Sequence, residues 1–223
     1  MEGHENMVIS EVAQMVPQVT DLTSNLARST AFYTVIGCWF AFAAAFAVIL
    51  ALRKRTPGAR ESKRDRTAMA GMVLEAVSFY MVWSQRLQRK QFAPVVPESR
   101  ALAWALAVVA VLIAAGSVWL VGAALRRLGK QWAVAARLVE GHALVQNGPY
   151  RFVRNPIYLG MFGMMLATGL ITTQWIPLLG ASVLFIAGTY IRVRSEERLL
   201  REAFGAEFEA YARRVPALIP GIY

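Results

Sequence analysis

Two uncharged runs decide what this chain can fold into. "AFYTVIGCWFAFAAAFAVILAL" covers Ala31 to Leu52, and "ALAWALAVVAVLIAAGSVWLVGAAL" covers Ala101 to Leu125; neither holds an Asp, Glu, Lys or Arg. Each exceeds the roughly 20 residues an α-helix needs to cross a hydrocarbon core of about 30 Å. Inside lipid, backbone polar groups must be satisfied within the segment, so such runs become helices. Three further apolar stretches follow the same logic: Thr67 to Gln85, apolar except for Glu75, then Ile157 to Thr173 and Trp175 to Ile191. Only Gln174 separates the last two, which is the layout of a helical hairpin. The fold expected is all-α and polytopic, with five transmembrane helices and additional amphipathic helices outside the bilayer. Composition agrees: 17% of the residues are charged, against about a quarter in an ordinary soluble domain.

The cations carry the orientation. Net charge is +10, and a chain this apolar places that charge at membrane surfaces and anionic lipid rather than on nucleic acid. From the N-terminus onward, the segments outside the five spans hold one, seven, four, six, none and six Lys or Arg residues. The second, fourth and sixth segments are the rich ones and are expected on the cytoplasmic side, with the N-terminus outside. Residues 1–30 lack the basic start of a signal peptide. Their Val8, Val12, Met15, Val19, Leu22 and Leu26 recur at helical spacing, which predicts an amphipathic interfacial helix interrupted or bent near Pro17. Three regions result: 1–30, an N-terminal amphipathic segment; 31–124, the first three spans and their basic loop; and 125–223, a C-terminal region with the last two spans and a C-terminal helix.

Several chemistries are excluded on residue type. The single Cys38 lies within a span, so no intrachain disulfide forms. His4 and His142 have no Cys or His cluster beside them, so no metal site is expected. Neither a P-loop nor a Gly-rich dinucleotide turn is present.

The remaining information lies in two blocks. In the first, Leu125, Leu128, Trp132, Ala135 and Val139 repeat at helical spacing with Arg126, Arg127, Lys130 and Arg137 between them. Such a helix lies on the membrane and lets its cations reach water. Asn147-Gly148-Pro149 then reads as a turn. Asn155, ahead of Pro156, is biased to extended backbone, and Pro156 suits the first position of the fourth span. In the second block, Leu199, Leu200, Ala203, Phe204, Phe208 and Tyr211 form one apolar face. Arg192 and Glu196, four apart, share a helix face. They form either a surface ion pair or the wall of a pocket against the first block. Glu75 is costly if ionised in lipid, so it is either protonated or paired with a cation. The Gly160, Gly163 and Gly169 series predicts close helix packing.

The stretches "LGKQW", "EGHALVQNGPYRFVRNPIYLG" and "RVRSEERLLREAFGAEFEAYARRVPALIP" together resemble the isoprenylcysteine carboxyl methyltransferase family of integral membrane enzymes. The resemblance covers about Leu125 to Pro220. Asn155 stands where the family usually has His, and Ala133 replaces a common Ser. The resemblance implies a methyl group taken from S-adenosyl-L-methionine and given to a lipophilic acceptor arriving from the bilayer, such as an isoprenylcysteine carboxylate. It implies cofactor contacts from His142, Ala143, Leu144 and Val145, largely through backbone. Tyr150 would pack on the cofactor, Asn155, Pro156, Ile157 and Tyr158 would close the pocket, and Glu196 would meet a polar or cationic part of it. Arg192 would face the acceptor as the catalytic residue. Two other readings stay open: a membrane reductase of the sterol type using NADPH, and a non-catalytic scaffold.

Overall fold

The computed structural model describes residues 2–52, 66–89, 100–129 and 144–218, with side chains from residue 22 onward and within 67–84, 101–129 and 144–218. Six α-helices occur in chain order: α1 (Glu2–Leu52), α2 (Arg66–Arg89), α3 (Arg100–Leu128), α4 (Pro156–Thr172), α5 (Trp175–Phe204) and α6 (Ala206–Arg214). A 3₁₀ turn at Gly148–Arg151 precedes α4. No strand occurs among the described residues, so the all-α, multi-pass architecture expected from the apolar runs is the one found.

Helices α1, α2, α3 and α5 contain stretches long and apolar enough to cross a membrane. The fifth expected span, α4, has 17 residues, a rise of about 25 Å at 1.5 Å per residue, at the lower end of the roughly 17–25 residues that cross a bilayer. Its apolar stretch ends where Thr173 turns to extended backbone at φ −136°, ψ 165°. The N-terminal segment differs from expectation. α1 runs unbroken from Glu2 through Pro17 to Leu52, so the interruption near Pro17 is absent. Proline deletes one bond of the helical ladder, and the long apolar continuation carries the rest.

α4 sits among the others, meeting α1, α2, α3 and α5. One core joins α1, α3 and α4 through Ala27, Val35, Phe42, Ala107, Ala110, Ala114, Val121 and Met164. Small residues dominate the α3 side, which lets backbones approach and gain dispersion contacts where lipid offers no hydrophobic driving force. Gly160 lies against Val121 and Ser117, and Gly163 against Ser117 and Ile113. These are the close contacts the glycine series predicted. Trp39 Nε1 donates to Thr168 Oγ1 at 3.0 Å, tying α1 to α4. A second core joins α2, α4 and α5 through Val82, Met165, Leu178, Ala181 and Phe185. Outward-facing Phe40, Leu112, Trp119 and Ile176 are exposed, as lipid-facing side chains should be. The charged end of α5 lies beside the start of α4, and α6 folds back there across Gly205, whose φ of +49° favours glycine.

Candidate active site

The quoted turn and the end of α5 meet as expected. Gly148 takes φ +63° with Arg127 packed against it, a backbone state L side chains rarely adopt. Pro149 and Tyr150 then bury in the 3₁₀ turn. Asn155 leaves the helical region at φ −127°, ψ 60°, and Pro156 opens α4. Pro suits that position because its missing N–H is one the helix start leaves unpaired anyway.

Two polar clusters form on different faces of α5. The first is the deeper. Glu75 of α2 is 3% exposed and accepts from Arg192 Nη1 at 2.7 Å and from Thr189 Oγ1 at 3.0 Å. The Arg192 guanidinium lies 4.8 Å from the Tyr158 ring centroid, a cation–π separation. Tyr158 OH donates to Glu196, which stands 4.0 Å from Arg192 Nη2. Of the alternatives for Glu75, pairing with a cation is the one found. The shared face of Arg192 and Glu196 is also found, but Arg192's nearest carboxylate is Glu75 rather than Glu196. The Arg192–Glu75 pair is buried among helices, whereas Glu196 keeps 30% of its side chain exposed.

The second cluster fastens the chain's C-terminal part. Arg154 Nε donates to Glu197 Oε1 at 2.9 Å, and its Nη1 donates to the carbonyls of Ala212, at 2.8 Å, and Val215. Those carbonyls belong to the end of α6, where helix geometry leaves acceptors without intrahelical partners. Arg201 Nη2 reaches Glu197 Oε2 at 3.3 Å. Backbone N–H groups of Arg154 and Asn155 donate to Pro216 and Ala217 carbonyls at 2.9 and 3.1 Å, and Asn155 Nδ2 donates to Ala217 O at 3.0 Å. Phe208, Tyr211 and Val215 bury against Leu144, Leu200 and Phe204.

Between these parts lies a cavity of about 450 Å³, counting its open mouth. Leu144, Val145, Tyr150 and Asn155, all expected at the site, line it together with Arg154, Glu197, Phe208 and Tyr211. His142 and Ala143 lie outside the described residues. Pro156 buries at the start of α4, and Ile157 packs against the α1–α3–α4 core. Tyr158, Glu196 and Arg192 form the adjoining cluster. Tyr150 links the two: burial first, then the neighbouring Tyr211 and Glu196, push its phenol well above the ordinary tyrosine range. Its OH is buried without a hydrogen-bond partner among the described residues. Such a group costs about 1–3 kcal/mol when left unpaired, so it marks a place a polar ligand atom can occupy. Tyr211, which donates to Tyr150 O at 2.6 Å, has its phenol pushed up to about 12, chiefly by burial.

Sequence reasoning did not place Arg154 or Glu197 at the site. The signal for Arg154 was its place immediately before Asn155-Pro156 in the turn. For Glu197 it was adjacency to Glu196, since neighbouring residues on a helix point about 100° apart and face different partners.

Comparison with known proteins bears on this region. The phospholipid methyltransferase family model matches residues 105–207. Protein-S-isoprenylcysteine O-methyltransferase of Schizosaccharomyces pombe is 33% identical over 87 residues, 39% of this chain and 37% of that protein. The resemblance to the isoprenylcysteine carboxyl methyltransferase family holds. Cobalt-zinc-cadmium resistance protein CzcN of Cupriavidus metallidurans is 32% identical over 108 residues, 45% of this chain and 47% of that protein. Methanethiol S-methyltransferase 1 of Bradyrhizobium diazoefficiens is 35% identical over 71 residues, 32% of this chain and 24% of that protein. The chain spans less than half the length of these relatives. The matched family region contains the turn, α4, α5 and the start of α6 but not α2, which supplies Glu75.

Proposed function

We propose that the protein is an integral membrane methyltransferase that transfers a methyl group from S-adenosyl-L-methionine to a lipophilic acceptor, a carboxylate such as that of an isoprenylcysteine. Residues 125–223 would form its catalytic region, facing the cytoplasm, with the N-terminus outside. The observation that carries the reading is the cavity between the 144–155 turn and the junction of α5 and α6, with the Tyr150 hydroxyl, which has no hydrogen-bond partner among the described residues, buried in its wall. Apolar Leu144, Val145 and Phe208 beside polar Asn155 and Tyr150 suit a ligand that is part aromatic and part polar.

When bound, S-adenosyl-L-methionine supplies an electrophilic methyl group on a sulfonium. This chain's residues do the placing. Leu144 and Val145 hold the cofactor, Tyr150 packs on it and satisfies its own hydroxyl, and His142 and Ala143 extend the contact. Glu196 offsets positive charge. Arg192 orients the acceptor, which enters from the bilayer. Positioning dominates an in-line displacement. A carboxylate acceptor is nucleophilic without a general base, and Glu197, the carboxylate in the cavity wall, is already held by Arg154 and Arg201. A thiol acceptor, of the kind in the name of the Bradyrhizobium relative, would first have to lose its proton.

The test is transfer of labelled methyl from S-adenosyl-L-methionine by the purified protein in lipid, with the labelled product identified. Label in a lipophilic methyl ester is expected. No transfer, together with measurable NADPH binding, would overturn the reading in favour of a reductase; no binding of either cofactor would leave a scaffold.

A further inference from the structure

We infer that Glu75 is a positioning residue for the acceptor: α2 reaches outside the family-matched region to fix the direction in which Arg192 presents its guanidinium. The inference rests on the acceptor role proposed above for Arg192. Four observations carry it. Glu75 is buried, and both of its carboxylate oxygens are engaged, one by Arg192 Nη1 at 2.7 Å and the other by Thr189 Oγ1 at 3.0 Å. Thr189 therefore holds the carboxylate still while the carboxylate holds the guanidinium. Tyr158 covers a face of the same guanidinium at 4.8 Å and is itself fixed by Glu196, so the planar fork is constrained in both rotation and tilt.

The helices are also shaped around this pair. A Cβ on Gly71 would stand 2.6 Å from both Gly188 O and Arg192 Cγ, and one on Gly188 would stand 2.6 Å from Gly71 O and 3.2 Å from Glu75 Cγ. Only glycine at both positions lets α2 and α5 approach closely enough for this contact. An arginine side chain has many rotamers, and a forked contact to a carboxylate works only in one plane. A residue that selects that plane sets turnover without touching the acceptor. An ion pair serving stability alone would need compensated charge, and the direction of the fork would not matter.

The discriminating change is therefore Glu75→Asp, which keeps the charge and withdraws the carboxylate by one methylene. The purified full chain in lipid is assayed with S-farnesyl-N-acetylcysteine as the acceptor probe, and affinity for S-adenosyl-L-methionine is measured separately by calorimetry. Glu75→Asp should lower kcat/KM for the acceptor by roughly tenfold to a hundredfold while cofactor affinity stays within about twofold. Arg192→Gln and the double variant Glu75→Gln/Arg192→Gln serve as the second measurement; removing both charges leaves neither member of the Glu75–Arg192 pair as a buried unpaired ion. The double variant should be no slower than Arg192→Gln, because Glu75 acts through Arg192. Glu75→Asp matching wild type on the acceptor, cofactor affinity falling as far as acceptor turnover, or a double variant markedly slower than Arg192→Gln would each overturn the inference alone. A wild-type protein that methylates neither this probe nor an alkanethiol overturns the proposed function and this inference with it.

Discussion

Replacing Arg154 by Met should unfasten α6 from the bundle. The substitution keeps most of the apolar stem and removes every hydrogen bond of the guanidinium. Arg154 holds Glu197 and the carbonyls of Ala212 and Val215 at once, and the Arg154 and Glu197 side chains are only 10% and 8% exposed. Hydrogen bonds to a charged group contribute about 1.5–3 kcal/mol each, and stripping one partner from a buried ion pair costs about 3–5 kcal/mol. These contributions overlap, and Arg201 still reaches Glu197 at 3.3 Å. A net loss of about 3 kcal/mol is therefore the reasonable scale, which is roughly a hundredfold in the local opening equilibrium at about 1.4 kcal/mol per tenfold. Hydrogen exchange reads that equilibrium directly. The amides of Asn155, Glu209 and Val215, bonded to Ala217, Gly205 and Tyr211 carbonyls, should exchange about a hundred times faster, with α3 unchanged. Arg154→Lys should fall between, since one ammonium cannot span three acceptors. Unaltered exchange at Val215 and Asn155 in Arg154→Met would refute the latch and with it the closed wall of the cavity.

Three other changes test other parts of the structure. Gly71→Ala forces a methyl group against Gly188 O and Arg192 and should cost about 1–3 kcal/mol, read as a lowered thermal midpoint in detergent; Gly37→Ala, with open space around it, should be neutral or slightly stabilising. Tyr150→Phe removes a buried hydroxyl that has no described partner, so the ligand-free protein should be as stable as wild type or more so, while affinity for S-adenosyl-L-methionine, by calorimetry, should fall roughly tenfold or more; unchanged affinity would remove that hydroxyl from the site. Tyr211 has its phenol pushed from 10 up to about 12, so its contribution to stability is complete below pH 10 and disappears as pH climbs to 12, a loss of roughly 2–3 kcal/mol. Tyr211→Phe should be less stable than wild type at pH 9 and should flatten that alkaline decline in thermal scans.

What could be read from the chain and what could not follow one physical division. Apolar runs declare helices because lipid leaves the backbone no alternative, and the spacing of Gly160 and Gly163 declares a close seam because only small residues permit one. Tyr150, Asn155, Leu144 and Val145 were legible through the quoted motif, and they line one cavity. Partner choice between distant segments was not legible. Glu75 and Arg192 stand 117 residues apart, and nothing local to either names the other; lipid burial of Glu75 required a cation without saying which. Nothing local to Arg154 named its partners either, since they are carbonyls 58 and 61 residues downstream. Helix length was half legible: the apolar pattern of α4 could be counted, but the extended turn at Thr173 that ends it depends on how the hairpin packs. The Glu196-Glu197 pair shows why the division falls there. Helical geometry alone requires these carboxylates to diverge, and they do, one toward Tyr158 and the other toward Arg154. Which one meets Tyr158 and which one fastens α6 is decided by α4 and the C-terminal segment. A single carboxylate at this level of α5 could therefore not do both, and the adjacent pair lets one helix end hold Tyr158 of α4 and fasten the C-terminal segment together.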